Sequence, residues 1–293
     1  MGQIHFIALL ILLLLPHGPW SGPGKVSAGN QEPSCQDCHS DLLEFELMHY
    51  PAEDACDNCH EPTGADHPSA DSLGFRLMDE VPELCYYCHE EPMQQSRTHV
   101  PHASGKCLAC HDAHGSEAGS LLRRTDPELC LSCHKQEYRT DSTETSNIGR
   151  LLGGNYRAHS AIELGGCMSC HRAHGSAFRA LLADGYPEED YLPGEPDSFG
   201  LCFMCHDPDL MSLQETDRAT GFRDGQRNLH WLHMNGNKAR NCRMCHNIHG
   251  SPLPFLIEQR VGFGSWEMPM NFTVEEEGGS CMPGCHARLS YRR

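Results

Sequence analysis

The sequence predicts a mainly irregular fold with short α-helices and little or no β-structure, built as an elongated, repeat-like array. Only 39% of the 293 residues are hydrophobic and 7% are aromatic, and 28 glycines and 19 prolines interrupt regular structure. This composition does not favour a large side-chain core. All 18 cysteines lie in one short motif that returns along the chain, with polar linkers between the copies. Such a chain predicts a repeat array whose interior is filled by something other than side chains.

The cysteine motif is CxxCH. Eight copies have this form, and the ninth, CMPGCH, contains one extra residue between its cysteines. CxxCH is the attachment signature of c-type heme, in which two thiols add across the vinyl groups of one porphyrin and the following histidine binds the iron. Zinc sites do not need a histidine after each cysteine pair, and disulfides would not require one at every copy. We therefore predict nine covalent hemes c, which form the core of the expected fold.

The attachment residues follow directly from the motifs, and they use every cysteine in the chain. The predicted thioether cysteines are Cys35, Cys38, Cys56, Cys59, Cys85, Cys88, Cys107, Cys110, Cys130, Cys133, Cys167, Cys170, Cys202, Cys205, Cys242, Cys245, Cys281 and Cys285. The predicted proximal iron ligands are His39, His60, His89, His111, His134, His171, His206, His246 and His286. No cysteine is left for a disulfide.

Ten further histidines lie near the motifs and are candidate distal ligands of the irons. They are His49, His67, His99, His102, His114, His159, His174, His230, His233 and His249. Ten candidates for nine positions favour nearly complete bis-histidine coordination. Those that precede a motif by seven to nine residues are preferred, namely His49, His99, His159 and His233. His102 and His230 compete for one heme, His67 is more isolated, and Met268 or Met270 near the last motif is an alternative ligand.

Three of the motifs continue into a second histidine. CLACHDAHGS at residues 107–116 returns as CMSCHRAHGS and CRMCHNIHGS. If this segment is helical, His114 lies one turn beyond His111, and the two then cannot bind opposite faces of one porphyrin. We therefore expect His114, His174 and His249 each to bind a heme other than the one attached beside it. The glycine that follows is expected to let the chain turn sharply and the serine to hydrogen-bond locally. An aliphatic pair further on is expected to pack against a porphyrin edge.

The motifs form four pairs after a lead motif at Cys35. These pairs, which we call the first to fourth repeats, begin at Cys56, Cys107, Cys167 and Cys242. We predict a signal peptide at 1–28 and one heme-binding domain at 29–293. Its heme-binding units are expected at roughly 29–48, 49–95, 96–145, 150–213 and 226–293.

The amino-terminal segment has the features of a secretory signal peptide. An apolar run at residues 6–15 ends at Pro16, and Val-Ser-Ala at 26–28 offers a small-residue cleavage site. No Lys or Arg precedes the run, so an uncleaved anchor is the alternative. No later stretch is long and apolar enough to span a bilayer. The expected location is therefore outside the cytoplasm, in the periplasm, at the outer membrane or in the extracellular space.

The charge balance separates classes of partner. The chain has 22 Lys and Arg against 40 Asp and Glu, which gives a formal net charge of −18. Nucleic acid selects clustered basic side chains, so a nucleic-acid partner is not expected. A basic partner or an oxide surface is compatible with this charge.

The pattern H…CxxCHxxHGS…LL…LCxxCH runs through essentially the whole of residues 29–293. It resembles the doubled-CXXCH multiheme cytochromes c. It is similar in particular to the periplasmic decaheme electron-transfer subunits of porin–cytochrome conduits, although this chain has nine motifs instead of ten. The resemblance implies bis-histidine hemes stacked in near contact that pass electrons along a row, and it implies no substrate site.

The expected function is therefore respiratory or extracellular electron transfer through a periplasmic or outer-membrane conduit, with no catalytic residue. Expected partners are an inner-membrane or periplasmic electron donor and an outer-membrane porin or extracellular acceptor, and self-association into filaments is a variant. The alternative is a nitrite, hydroxylamine or sulfur-oxyanion reductase, which needs one iron with an open face. The CMPGCH heme is the best candidate for that site, because its distal ligand is the hardest to assign.

Overall fold

The computed structural model describes residues 33–91, 95–139, 144–192 and 195–293. The chain divides into two compact units, residues 1–39 and 40–293. The predicted signal peptide, with His5 and His17, lies outside the described residues.

In the first unit, a single helical turn, α1 (Cys35–Cys38), contains the lead motif. The Asp37 carboxylate accepts hydrogen bonds from the N–H group of Ser34 at 2.7 Å and from its hydroxyl at 3.0 Å. Side-chain and backbone bonds of this kind satisfy the free N–H groups at the start of a helix. The His39 N–H group donates to the Cys35 carbonyl oxygen at 2.9 Å, which continues the turn to the end of the motif.

The helices of the second unit are all short, and no helix in the described part of the chain is long and apolar enough to cross a membrane. The α-helices are α2 (Tyr50–Asp54), α3 (Glu83–Tyr86), α4 (Val100–Ala103), α5 (Glu128–Leu131), α6 (Ile148–Leu151), α7 (Ser160–Gly165), α8 (Gly200–Phe203), α9 (Asp209–Ser212) and α10 (Leu229–Met234). The 3₁₀ turns are Ser40–Leu43, Cys56–Asn58, Cys107–Ala109, Gly119–Leu121, Cys167–Ser169, Arg179–Leu181, Pro196–Phe199, Cys242–Met244 and Pro254–Leu256.

The expectation of little or no β-structure is wrong. The described residues contain seventeen strands in eight antiparallel sheets, paired as β1–β5, β2–β3, β4–β9, β6–β7, β8–β12, β10–β11, β13–β14 and β15–β16–β17. The strands are β1 (Leu47–Met48), β2 (His60–Pro62), β3 (Phe75–Leu77), β4 (Arg97–Thr98), β5 (Gly115–Ser116), β6 (Tyr138–Arg139), β7 (Glu144–Thr145), β8 (Arg157–Ala158), β9 (Gly175–Ser176), β10 (Arg223–Asp224), β11 (Arg227–Asn228), β12 (Gly250–Ser251), β13 (Arg260–Phe263), β14 (Trp266–Pro269), β15 (Thr273–Glu275), β16 (Gly278–Cys281) and β17 (Leu289–Arg292). Strands of two to four residues are too short to show the alternation that identifies a strand in a sequence.

Three of these sheets join successive repeats, and we call them the inter-repeat ladders. Each pairs the Gly-Ser of one CHxxHGS segment with the dipeptide before an upstream histidine of the preceding repeat, as β1–β5, β4–β9 and β8–β12. The N–H group of that upstream histidine then donates to the carbonyl oxygen of the HGS histidine. The bonds are His49 to His114 at 2.9 Å, His99 to His174 at 3.1 Å and His159 to His249 at 3.0 Å. The ladders therefore connect pairs of candidate ligands through the backbone.

The glycine of HGS does not make the sharp turn that we expected. Gly115, Gly175 and Gly250 lie in ladder strands, and none has a left-handed φ. A Cβ on Gly250 would overlap the carbonyl oxygen of Leu151, and one on Gly175 would lie 2.9 Å from the carbonyl oxygen of Arg97. The glycine is needed because another chain segment approaches too closely for a side chain.

The serine of HGS does form local hydrogen bonds. The hydroxyls of Ser176 and Ser251 donate to the carbonyl oxygens of Leu182 and Ile257 at 2.5 Å, and Ser116 bonds equivalently to Leu122. Each hydroxyl also accepts the N–H group two residues on, at 2.9–3.0 Å. One side chain therefore closes the loop that follows each ladder strand.

Two clusters of apolar side chains are buried in the described residues. The first contains Leu182, Tyr186, Phe199, Met211 and Met234, and the second contains Met244, Ile257, Val261, Met268 and Met270. Leu182 and Ile257 belong to the aliphatic pairs after HGS, whose contact with a porphyrin edge stays a prediction. Every buried hydrophobic side chain in the described part of the chain lies at or after Ala118. The first repeat therefore lacks an apolar core of its own.

We predict that Gly250→Ala destabilises the heme-loaded protein. The added methyl group would meet a backbone carbonyl that cannot rotate away, and overpacking of this kind costs about 1–3 kcal/mol. The midpoint of chemical denaturation measures the effect. Gly119→Ala is the control, because nothing lies within 4 Å of its Cβ position. Equal midpoints for the two variants would contradict the close approach at the ladder.

Candidate heme-binding sites

The CxxCH motifs fold as tight turns. The first motif of each repeat begins with a 3₁₀ turn, and the second motif of the first three repeats lies in an α-helical turn. In six motifs of the second unit, the histidine N–H group donates to the carbonyl oxygen of the first cysteine at 2.9–3.0 Å. Because this bond closes one turn around the motif, the two thiols and the imidazole are held near one another. Heme attachment requires that arrangement.

The ninth motif is built differently. Cys281 ends strand β16, and no helical turn covers the motif. The extra residue of CMPGCH precedes Cys285, and the ring of Trp266 occupies the place that a Cβ on Gly284 would take. The Sγ atom of Cys285 lies 3.4 Å from the Sδ atom of Met268. The side chain of Trp266, from the β13–β14 hairpin, therefore covers the one motif that lacks the usual turn.

Seven motif histidines face a second histidine ring. The ring centres are 6.3 Å apart for His60 and His114, 5.9 Å for His89 and His49, 6.0 Å for His111 and His174, 6.1 Å for His134 and His99, 6.2 Å for His171 and His249, 6.1 Å for His206 and His159, and 6.4 Å for His246 and His230. Each pair joins a predicted proximal ligand to a candidate distal ligand. None joins the two histidines of one CHxxH segment.

The separation of these rings fits an iron between them. A metal–imidazole bond of about 2.0 Å on each side, together with about 1.1 Å from each nitrogen to its ring centre, places the two centres about 6 Å apart. The seven distances lie between 5.9 and 6.4 Å. The residues present therefore fit bis-histidine heme sites.

Hydrogen bonds leave the correct nitrogen free for a metal. The Nδ1 atoms of His111, His171 and His246 donate to backbone carbonyl oxygens at 2.8–2.9 Å, and those of His49 and His233 do so at 2.8 and 2.7 Å. A carbonyl oxygen can only accept, so Nδ1 carries the proton and Nε2 has the free lone pair. His159 differs, because its Nδ1 accepts the Ala161 N–H group at 3.1 Å.

The carbonyls that hold the proximal histidines come from strained positions. Ser120, Ala180 and Phe255 supply them, and these residues have left-handed φ angles of 57°, 50° and 58°. This conformation is unfavourable for residues other than glycine. Its recurrence at equivalent positions indicates that the surrounding loop holds the carbonyl toward the histidine. Sequence reasoning missed these residues, since no residue type marks them.

Burial keeps two of the candidate distal ligands in the form that binds metal. Burial, followed by the neighbouring His246, lowers the pKa of His230 to about 4. Burial, followed by the neighbouring His171, lowers the pKa of His249 to about 4. Both imidazoles are therefore neutral at neutral pH, as metal coordination requires.

Attachment cysteines of successive repeats meet. The thiol of Cys85 is a close neighbour of that of Cys107, and the thiol of Cys202 of that of Cys242. At the junction between them, the Sγ atoms of Cys130 and Cys167 and a carboxylate oxygen of Asp126 lie within 4.8 Å of one another. The second motif of one repeat therefore adjoins the first motif of the next.

Three segments of the chain match the doubled CXXCH motif, at residues 49–94, 99–138 and 159–211. They coincide with the first three repeats, where the turns and facing histidines recur. These matches support a multiheme cytochrome c family. Cytochromes with these motifs bind heme c covalently, in agreement with the fit of the histidine pairs. Among curated proteins, none is similar enough to the chain to count as a match.

The remaining candidate ligands of the chain occupy different surroundings. His233 lies close enough to His286 for the charges of the two imidazoles to interact. The ring centre of His102 lies only 4.9 Å from that of His174, which is too close for an iron between them. His67 packs edge-on against Phe75 at 5.1 Å. His39 belongs to the first unit. Of the two methionines that we considered, Met268 is 3% and Met270 is 6% exposed, and both lie in an apolar cluster.

Asp126 holds the junction between the second and third repeats. Its carboxylate accepts the N–H groups of Cys167 at 3.0 Å and Met168 at 2.9 Å. Gly166 has a φ of 69°, and a Cβ there would overlap this carboxylate. Burial opposes ionisation of Asp126, but these hydrogen bonds outweigh it and lower the pKa of its carboxyl below the usual value.

We predict that Asp126→Asn destabilises the heme-loaded protein by about 1–3 kcal/mol at neutral pH, because a charge-assisted pair of hydrogen bonds is lost. The pKa of Asp126 is lowered in the folded state, so its stabilising effect is present above the unfolded pKa of about 3.9 and is lost as pH falls through the folded pKa. Denaturation curves should therefore differ at pH 7 and converge below about pH 4.

The exposed residue Asp71 provides the control, and Asp71→Asn should leave the curve unchanged at both pH values. A gap between Asp126→Asn and wild type that stays constant with pH would show that the ionised carboxylate does not hold the junction.

Proposed function

We propose that this multiheme cytochrome transfers electrons along a row of nine bis-histidine hemes, as a periplasmic or outer-membrane conduit for respiratory or extracellular electron transfer, and that it is not an enzyme. The hemes, when bound, supply reversible one-electron oxidation and reduction. The residues of the chain supply the axial ligands and set the distance between neighbouring attachment sites. The observation that carries the proposal is the set of seven facing histidine pairs separated by 5.9–6.4 Å.

The facing histidines favour electron transfer over catalysis. A reductase needs an iron with one axial position open to substrate. A second imidazole stands opposite each of seven motif histidines, and His233 neighbours His286 of the CMPGCH motif. The site that sequence reasoning considered best for an open iron therefore has a candidate second ligand.

The spacing of attachment cysteines supports a row that follows the order of the sequence. Within repeats, burial and then the charge of a neighbouring cysteine raise the pKa of four attachment thiols. The pairs are Cys59 with Cys88, Cys110 with Cys130, Cys170 with Cys202, and Cys245 with Cys281. Between repeats, Cys85 adjoins Cys107, Cys130 adjoins Cys167 and Cys202 adjoins Cys242. From the second motif to the ninth, each motif thus lies beside the next, and electrons pass between adjacent sites in that order.

The acidic charge is concentrated in one part of the chain, which supports a basic redox partner. Residues 40–91 contain fourteen Asp and Glu side chains and a single basic one, Arg76. Arg76 is paired with Glu61 at 2.6 Å, and most of the other carboxylates are exposed. We propose that this acidic segment, which includes the first repeat, guides a basic electron donor or acceptor to the nearby hemes.

Export and heme loading complete the proposal. We propose that residues 1–28 are removed and that the mature chain, residues 29–293, works outside the cytoplasm with nine hemes attached. The intact mass of the mature protein should equal that of residues 29–293 with nine covalent hemes. A lower heme count or a retained leader would contradict this part of the proposal.

We predict that the oxidised, heme-quantified cytochrome contains only low-spin bis-histidine hemes. Low-temperature EPR detects a high-spin ferric iron with an open face, and near-infrared magnetic circular dichroism identifies the axial ligands of hemes whose EPR signals are hidden by coupling. A stoichiometric high-spin heme, with a second ligand absent, would overturn the electron-transfer proposal in favour of a reductase.

We predict that a small basic redox protein reduces the cytochrome more slowly as ionic strength rises, because salt screens attraction to the acidic segment. The double variant Glu44→Gln/Asp54→Asn should lower the rate at low salt and flatten its salt dependence. Stopped-flow absorbance at the heme bands measures both effects. Glu163→Gln/Asp217→Asn, which removes two exposed carboxylates outside residues 40–91, is the matched control. An equal effect of both double variants would contradict docking at the acidic segment.

A further inference from the structure

The facing histidine pairs follow a rule that links one repeat to the next. In the first three repeats, the histidine of the first motif faces the HGS histidine of the following repeat. These pairs are His60–His114, His111–His174 and His171–His249. The histidine of the second motif faces the upstream histidine of its own repeat. These pairs are His89–His49, His134–His99 and His206–His159.

The fourth repeat departs from the first half of this rule. Residues 252–293 contain no CHxxHGS segment. The ring of His230 faces that of His246 instead, with the two centres 6.4 Å apart and an angle of 22° between the ring planes. The centres of the other six pairs are 5.9–6.3 Å apart, so this separation is only slightly larger.

The second motif of the fourth repeat has a different neighbour arrangement. His233 is the upstream histidine nearest to Cys242 in sequence; its ring stacks on Phe222 with the centres 5.7 Å apart, and it lies close enough to His286 of the second motif for the two charges to interact. His230 and His233 are three residues apart on α10, yet they lie near different motif histidines, His246 and His286. One short helix therefore carries a candidate ligand for each motif of the repeat.

We propose that His230 is the distal axial ligand of the heme attached at Cys242 and Cys245, in place of the histidine that a following repeat supplies elsewhere. This assignment rests on the proposed bis-histidine function. It also resolves the competition between His102 and His230. His111, in the repeat that contains His102, already faces His174 from the next repeat, and His102 lies against that second ring instead.

The surroundings of His230 hold its ring in position. The Nδ1 atom is hydrogen-bonded to the Thr220 hydroxyl at 2.9 Å, and Phe222 contacts the ring edge-on at 5.2 Å. The carboxamide oxygen of Asn228 caps α10 by accepting the N–H groups of His230 at 2.9 Å and Trp231 at 3.2 Å. The amide of the same fully buried side chain donates to the carbonyl oxygens of Leu210 and Leu213. The helix that carries His230 is thus anchored independently of the heme.

The assignment has a consequence for assembly. Because His230 completes the first heme site of the fourth repeat, that site needs no histidine from a second copy of the chain.

The test is near-infrared magnetic circular dichroism of the full-length, heme-loaded His230→Met variant, with heme content checked by intact mass. The expected result is a change of axial ligand at one heme equivalent per molecule. In a background in which Cys242→Ala and Cys245→Ala remove that heme, His230→Met should cause no further change. His114→Met is the matched control, and its spectral change should persist in that background and disappear when Cys56→Ala and Cys59→Ala remove the heme that it faces.

A second variant guards against a general loss of structure. His230→Gly should give one high-spin heme equivalent that added imidazole returns to low spin, because the cavity admits the free ligand. A wild-type ligand spectrum in His230→Met, or a change that survives removal of the Cys242/Cys245 heme, would overturn the assignment. An open heme in the wild-type protein would instead overturn the proposed function. If the signal of that open heme is lost when Cys242→Ala and Cys245→Ala remove the heme attached there, the His230 assignment is overturned as well.

Discussion

Two imidazole rings held about 6 Å apart form the unit on which the rest of this structure depends. A CxxCH turn can present only one imidazole, since its two cysteines fix the porphyrin on the same side of the chain as its histidine. The opposite ring must come from a distant segment. Seven such pairs are present in the second unit. Much of the remaining structure serves to bring the second ring into place.

The inter-repeat ladders perform this task for two heme sites at once. In the first ladder, the His49 N–H group donates to the His114 carbonyl oxygen at 2.9 Å. The two residues face different motif histidines, His89 and His60. The backbone bond therefore couples the candidate second ligand of one heme site to that of its neighbour. A slip of one residue in the ladder would turn both side chains to the opposite face. The glycine that allows the close approach and the serine that closes the next loop both keep the pairing register, which explains why they occur together.

Stability is expected to depend on the cofactor to different degrees along the chain. Buried hydrophobic side chains in the described residues are confined to the part from Ala118 onward, and both apolar clusters lie in the third and fourth repeats. The first repeat has the ladder strands, the turns of its motifs and a largely exposed acidic surface. Its folding must therefore be coupled most strongly to heme attachment, by the same linkage that couples metal binding to folding. The anchored helix α10 has packing of its own.

The sequence by itself determined the cofactor class, the attachment residues and the set of candidate second ligands, because covalent heme attachment requires a short, contiguous motif. It also predicted that His114, His174 and His249 serve hemes other than their own, from a helical turn that the structure does not contain at residues 111–114, 171–174 or 246–249. The tertiary structure alone decided which ring faces which, and it placed His230 instead of His102 opposite a motif histidine. It also showed the strands, the role of Gly250 and the strained carbonyl of Phe255. These features depend on contacts between segments far apart in the chain, and strands of two residues leave no periodic pattern in a sequence.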